Sequence, residues 1–178
     1  KVWSLNAINA LSRQVDRRGR VDEYYPFEES YPAASFGLYA ATKVLLHWQT
    51  HTPELLEGVN WTGLKRLAQA LAKRTEPQAS NQFAIGVAAL AMAVQLPKLE
   101  LSWTDVAPVA DIFFALQREE GWFPEYGGPD FGYLAVTLDA LADYYDVTQE
   151  QRALDAANKA IDFLFSLVGV DGQLPWTL

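Results

Sequence analysis

The chain has 178 residues, half of them hydrophobic and 13% aromatic, enough for one domain with a sizeable core. Its net charge of −8 argues against a nucleic-acid or anionic-membrane surface, because phosphate binding needs a basic patch, and it disfavours loose attraction of a polyanionic substrate unless one local basic pocket reverses that. It contains no cysteine, which rules out disulfides and thiolate chemistry, and its apolar runs fall short of the ~20 residues that cross a bilayer.

In chain order, hydrophobic periodicity predicts helices over Trp3–Val15, Ala34–His51, Thr62–Arg74, Asn81–Leu96, Thr104–Arg118, Phe131–Tyr145 and Gln149–Val168, with no convincing strand. Ser80 or Asn81 is the expected cap of the helix at 81, Ser102 or Thr104 of the next, and Thr148 of the last. Pro53, Pro77, Pro97 and Pro129 punctuate the connections. Three helices, FGLYAATKVLLHW, FAIGVAALAMAV and FGYLAVTLDALA, are apolar on nearly every side, as in helices surrounded by protein. The helices between them are one-sided. Leu64, Leu67 and Leu71 form one stripe, with Lys65, Arg66 and Lys73 outside. Leu154, Ala157, Ile161, Leu164 and Val168 form another, with Arg152, Asp155, Lys159 and Asp162 outside. Helical hairpins side by side, with an inner and an outer layer, satisfy this alternation.

A repeat underlies the pattern. Phe36, Phe83 and Phe131 open the three buried helices at spacings of 47 and 48, and SFGLYAAT, QFAIGVAA and DFGYLAVT align residue for residue. The loops before the first and third carry a shared element, Gly19-x-x-x-Glu23-Tyr24 and Gly121-x-x-x-Glu125-Tyr126; KRTEPQASNQ, before the second, lacks it. Gly172, 51 residues after Gly121, marks the start of a further copy. The expected organisation is a single domain of hairpin repeats over about 19–75, 76–120 and 121–170 with a period near 50. Lys1 at the start and PWTL at the end read as a chain cut from a longer protein, so self-association or a missing remainder is expected. No secretory leader pattern opens the chain, and a cytoplasmic location is expected.

Alternating inner and outer helices with such loops resemble the α/α-toroid superfamily, which includes six-hairpin glycosidases, heparinase and alginate-lyase catalytic domains, and prenyltransferase and terpene-cyclase rings. DEYYPFEESYPAASFGLYA and GWFPEYGGPDFGYLAVTLDALADYY are similar to heparinase II/III-like toroid proteins associated with bacterial polysaccharide biosynthesis. The resemblance runs from about Asp16 onward and implies part of an α/α-toroid, an incomplete ring that binds or processes a polysaccharide. LQREEGW is also similar to the Gln-x-x-x-Gly-x-Trp element of terpene cyclases, one residue short because Trp122 follows Gly121 directly.

In such a ring the loops before the inner helices line one mouth. Glu23, Glu28 and Glu125 are the candidate acid–base residues, since glycosidases need two carboxylates about 5–10 Å apart. The competing reading makes these glutamates turn locks that accept backbone N–H groups. Tyr24, Tyr25, Trp122 and Tyr126 offer flat faces to a sugar ring, and Asn81, Gln82 and Asp130 offer polar contacts; Asp130 also fits as a helix cap. Arg20 adds a positive charge. In toroid polysaccharide lyases a tyrosine acts as acid or base while an amide, Arg or His neutralises the uronate; these loops contain no histidine, a departure from that pattern. His47 and His51 share a helical face, but Trp48 stands where a metalloprotease has its glutamate, and no metal or other cofactor is expected. The alternatives to a carbohydrate-processing enzyme are a scaffold that holds a protein partner and a terpene-type ring with an apolar cavity.

Overall fold

The computed structural model describes residues 2–173, and among them the secondary structure is helical. The α-helices are α1 (Val2–Gln14), α2 (Tyr31–His51), α3 (Trp61–Leu71), α4 (Ser80–Val94), α5 (Trp103–Phe114), α6 (Phe131–Thr148) and α7 (Gln151–Ser166), with short 3-10 segments at Pro53–Gly58 and Pro97–Leu99. The last part of DGQLPW and all of PWTL lie outside the described residues. No helix among the described residues is long and apolar enough to cross a membrane.

Local chemistry explains the ends. Helix α2 starts earlier than its periodicity predicts, because Pro32 fits the first turn and Ser30 Oγ accepts the Ala33 N–H at 3.1 Å. Helix α5 opens on a capping box, with the Ser102 N–H donating to Asp105 at 2.9 Å. It stops at Phe114, not Arg118, because the Arg118 N–H turns away to the Trp122 carbonyl at 2.9 Å. Helix α6 runs on to Thr148, where Gln149 takes a left-handed φ of 55°, so the residue before α7 is Glu150 and not Thr148.

Helix α4 lies between α2 and α6 and packs on both. It is buried from Ser80 to Ala93 apart from half-buried Gln82, as its all-round apolar sequence requires. Tyr31 meets Phe83 edge-on at 6.3 Å and Thr42 meets Met92 at 3.9 Å, so α2 and α4 run parallel. An outer layer covers them: α3 packs on α2 and α4 and is joined by α1, α5 packs on α4, and α7 packs on α6. The aromatic column Phe83–Phe113–Phe123, with centroids 5.7 and 5.0 Å apart, ties α4, α5 and the loop at 121–128 together.

Two burial readings are corrected. Of the three helices expected to be surrounded by protein only α4 is, while α2 and α6 keep an exposed side that includes Phe36, Lys43 and Tyr133. The α3 stripe of Leu64, Leu67 and Leu71 is buried as predicted. In α7 the buried face is Ala153, Ala156 and Ala160, while Leu154, Ile161, Phe165 and Val168 are exposed. The alanines let the α7 backbone approach closely: a Cβ on Gly121 would sit 2.2 Å from the Lys159 carbonyl oxygen. Closeness of backbones, and not side-chain bulk, chose the face.

Candidate functional site at the inner-helix N-termini

The shared glycine element folds as one turn. Gly19 donates to the Asp16 carbonyl while Asp16 donates to that of Arg20; Gly121 donates to Arg118 while Arg118 donates to Trp122. In the same way Gly172 donates to Gly169 while Gly169 donates to Gln173. Gly19, Gly121 and Gly172 all have positive φ, from 76° to 107°. Gly19 rests on the Arg66 carbonyl of α3 as Gly121 rests on α7, each too close for a Cβ. After the turn a buried residue anchors each loop, Val21 in one and Phe123 in the other. Tyr24 and Tyr126 then stand in solvent, 77% and 71% exposed.

Beyond that point the two loops diverge. Residues 22–29 close upon themselves. Glu28 Oε2 accepts the N–H groups of Glu23, Tyr24 and Tyr25 at 3.0, 2.9 and 3.5 Å, and Asp22 accepts those of Phe27 and Glu29 at 2.9 Å each. Bonds from Tyr24 and Glu23 hold the Glu28 carboxyl below its ordinary pKa; those from Glu29 and Phe27 do the same for Asp22. Glu23 is exposed and accepts the Ser30 hydroxyl at 2.9 Å.

Glu125 has a different setting. It is buried, at 8% exposure. Its Oε1 accepts the Asn81 N–H at 2.6 Å, capping α4 from 44 residues away, where neither Ser80 nor Asn81 serves as the cap. Its Oε2 is buried without a hydrogen-bond partner among the described residues. Burial pushes its pKa up to about 7, the Asn81 amide opposes that, and the negative charges of Asp130 and Glu76 reinforce it. A carboxyl that is half protonated near neutrality suits proton transfer.

The polar candidates gather around the same helix starts. Asn81 is buried and its Oδ1 accepts the Gln82 N–H at 2.7 Å. Asp130 caps α6 by accepting the Tyr133 N–H at 2.8 Å. Trp122 is half-buried beneath the Arg118 guanidinium, 5.7 Å from its ring centre. The fold thus brings Glu125, Asn81, Asp130 and Tyr126 to the starts of α4 and α6, and keeps Glu23, Glu28, Tyr24 and Tyr25 at the start of α2. No hydrogen bond or ion pair among the described residues joins the two groups.

Two features went unread in the sequence. Phe27 is 92% exposed with φ of 66°, at the third position of a turn closed by Glu28 N–H to Tyr25 carbonyl, with Pro26 at the second. Pro followed by a residue of positive φ is the type II arrangement, where glycine or asparagine is favoured. Tyr126 has φ of 52° beside Gly127 in the two-residue hairpin between Glu125 and Gly128. Positive φ at both positions is the type I′ arrangement, which favours Asn-Gly. Secondly, Tyr39 of α2 donates to Asp143 and, at 3.1 Å, to Asp139 of α6, while Lys43 pairs with Asp143 at 2.7 Å. Burial, and then the bond to Asp143, raises the Tyr39 pKa above the phenol range. The i,i+4 recurrence of Tyr39 with Lys43 and of Asp139 with Asp143, in helices otherwise apolar, was the available signal.

A cleft of about 470 Å³ lined by Gln49, Leu56, Trp61 and Leu96 lies at the other end of α2 and α4, away from these residues. Comparison with protein-family profiles, with curated proteins and with solved structures returns no match in any of the three.

Proposed function

We propose that the chain is a carbohydrate-binding helical-hairpin repeat, part of an α/α-toroid, that holds a bacterial polysaccharide against the aromatic edge of its inner-helix loops. The observation that carries this reading is the pair Phe27 and Tyr126. Each is a bulky aromatic in a left-handed backbone conformation, and each is held out in water. Such a residue costs about 1–3 kcal/mol in backbone strain, and its exposed ring returns nothing to folding. A ligand that stacks on those rings, as sugar faces do, accounts for both features. Tyr24 and Tyr25, 77% and 73% exposed, extend the surface beside Phe27. The exposed apolar residues Leu154, Ile161 and Phe165 on α7 support the incomplete-ring reading, since a further hairpin stacked there would cover them.

Glu125 supports a second reading, in which the site also transfers protons as a glycosidase or lyase does. Glu28, bonded to three amides, fits the turn-lock role instead. The test is retention of the chain on immobilised bacterial polysaccharides, neutral and acidic, with Phe27→Asn and Tyr126→Asn as variants. Both substitutions suit the local backbone, so the variants stay folded. Loss of retention in both is the expected result. Equal retention of the variants, or no retention of the wild type on any glycan, overturns the proposal in favour of a scaffold for a protein partner. Release of oligosaccharide that stops in Glu125→Gln would establish the enzymatic reading.

A further inference from the structure

The acidic net charge conceals a concentrated basic face. Of the 14 Lys and Arg residues, Arg13, Arg17, Arg18, Arg20, Lys65, Arg66, Lys73 and Arg74 fall within two short segments, and the fold presses those segments together. Gly19 lies against the Arg66 carbonyl. Arg66 in turn donates from Nε to the Asp16 carbonyl at 2.9 Å and from Nη2 to the Val15 carbonyl at 3.0 Å, which fixes its guanidinium plane. The result is a cleft of about 250 Å³ lined by Arg17, Arg18, Arg20, Arg66 and Lys73, with Gln69 at its wall and no acidic residue among its lining.

Compensation within this cluster is incomplete. Glu29 pairs with Arg18 at 2.6 Å and stands 3.8 Å from the Arg20 Nε. That Nε is buried and has no hydrogen-bond partner among the described residues. The side chains of Arg17 and Lys73 enter no hydrogen bond or ion pair among the described residues. Neighbouring Arg74 has its pKa lowered by burial and then by the charge of Arg20, a sign of crowded cations. Four guanidinium groups and an ammonium converging on one cleft, with the single carboxylate of Glu29 paired to two of them, suit an anion.

We propose that this cleft binds a compact, multiply charged oxyanion: a phosphate or diphosphate group. Guanidinium forks match the paired oxygens of phosphate, and the cleft gathers four guanidinium groups and one ammonium around a small volume, with the Nε–Nη2 edge of Arg66 already bonded to backbone and Arg18 Nη1 to Glu29. Its size selects a headgroup and not a polymer. The 22 acidic residues of the chain disfavour an extended polyanion, while a small group held inside one Debye length, about 8 Å, feels mainly the local cations. The cleft adjoins the 22–29 loop through Glu29, but its ligand does not depend on the carbohydrate reading.

The test is isothermal titration of the chain with inorganic phosphate and with diphosphate, beside co-sedimentation with vesicles of phosphatidylcholine containing phosphatidic acid. The comparison is the double variant Arg17→Ala/Lys73→Ala, whose side chains enter no hydrogen bond or ion pair among the described residues. We expect diphosphate to bind, and its affinity to fall by at least about tenfold in the variant, with an unchanged melting temperature in the absence of anion. Binding of diphosphate but not vesicles assigns a soluble phosphorylated ligand; pelleting with phosphatidic acid vesicles, lost in the variant, assigns a lipid phosphate. Absence of both, or binding that the variant retains in full, overturns the proposal.

Discussion

Replacing Glu125 by glutamine gives the sharpest test of the buried carboxyl. The ordinary glutamate value of 4.5 applies to the unfolded chain, and the folded value is about 7. The folded state therefore holds the proton more tightly. The stability associated with this group is fully present below pH 4.5, falls as pH rises toward 7, and is level above it. Each pH decade between the two values is worth about 1.4 kcal/mol, which gives roughly 3 kcal/mol. Screening at the open side of the loop reduces this to about 2 kcal/mol. Glutamine keeps an acceptor for the Asn81 N–H and does not titrate, but its amide nitrogen is left without an acceptor, a pH-independent cost of about 1 kcal/mol. The melting temperature of Glu125→Gln minus that of wild type should therefore rise between about pH 4.5 and 8 by about 4–8 °C. Thermal melts followed by circular dichroism across that range give the difference, in which titrating groups that do not interact with Glu125 cancel. A difference that is flat, or that grows toward acid, refutes the reasoning and makes the carboxylate a net stabilising cap on α4.

The loop glutamate and aspartate behave oppositely. The pKa values of Glu28 and Asp22 are lowered by backbone N–H groups, so their contribution is present above the ordinary values of 4.5 and 3.8 and is lost as pH falls through the folded ones. Limited proteolysis should accordingly open residues 22–29 faster in acid, and Glu28→Gln should do the same at neutral pH; equal cleavage rates in all these conditions would show that the loop is held otherwise. Gly121→Ala and Gly127→Ala form a matched pair, with φ of 107° and 103°, one packed on Lys159 and one open to solvent. Urea unfolding should show a loss of about 1 kcal/mol for Gly127→Ala and about 3 kcal/mol for Gly121→Ala, where overpacking adds to the strain; similar losses would mean that the contact with α7 yields easily. Tyr126→Asn should raise stability by about 1 kcal/mol through relief of the left-handed tyrosine, read from the same unfolding curves, and a fall in stability would show that the exposed ring packs after all.

The helices, their hairpin alternation and the recurring glycine turn were legible in the linear chain because each is set by short-range chemistry: apolar period, proline, cap and the φ that only glycine takes readily. The register between Gly19 and Gly121 predicted matching turns, and both fold alike down to the buried anchor and the exposed tyrosine. What followed the shared element was decided elsewhere. Glu23 and Glu125 occupy the same place in the repeat, yet one bonds to Ser30 in solvent and the other is sealed against the start of α4. The α7 stripe points outward for a similar reason, since the face that packs was chosen by how close two backbones come. The basic cleft arises only when Gly19 brings two distant arginine segments together. Desolvation and charge pairing depend on groups tens of residues away, so a repeat can specify where a carboxylate stands while tertiary packing determines whether it is spent, free or half protonated.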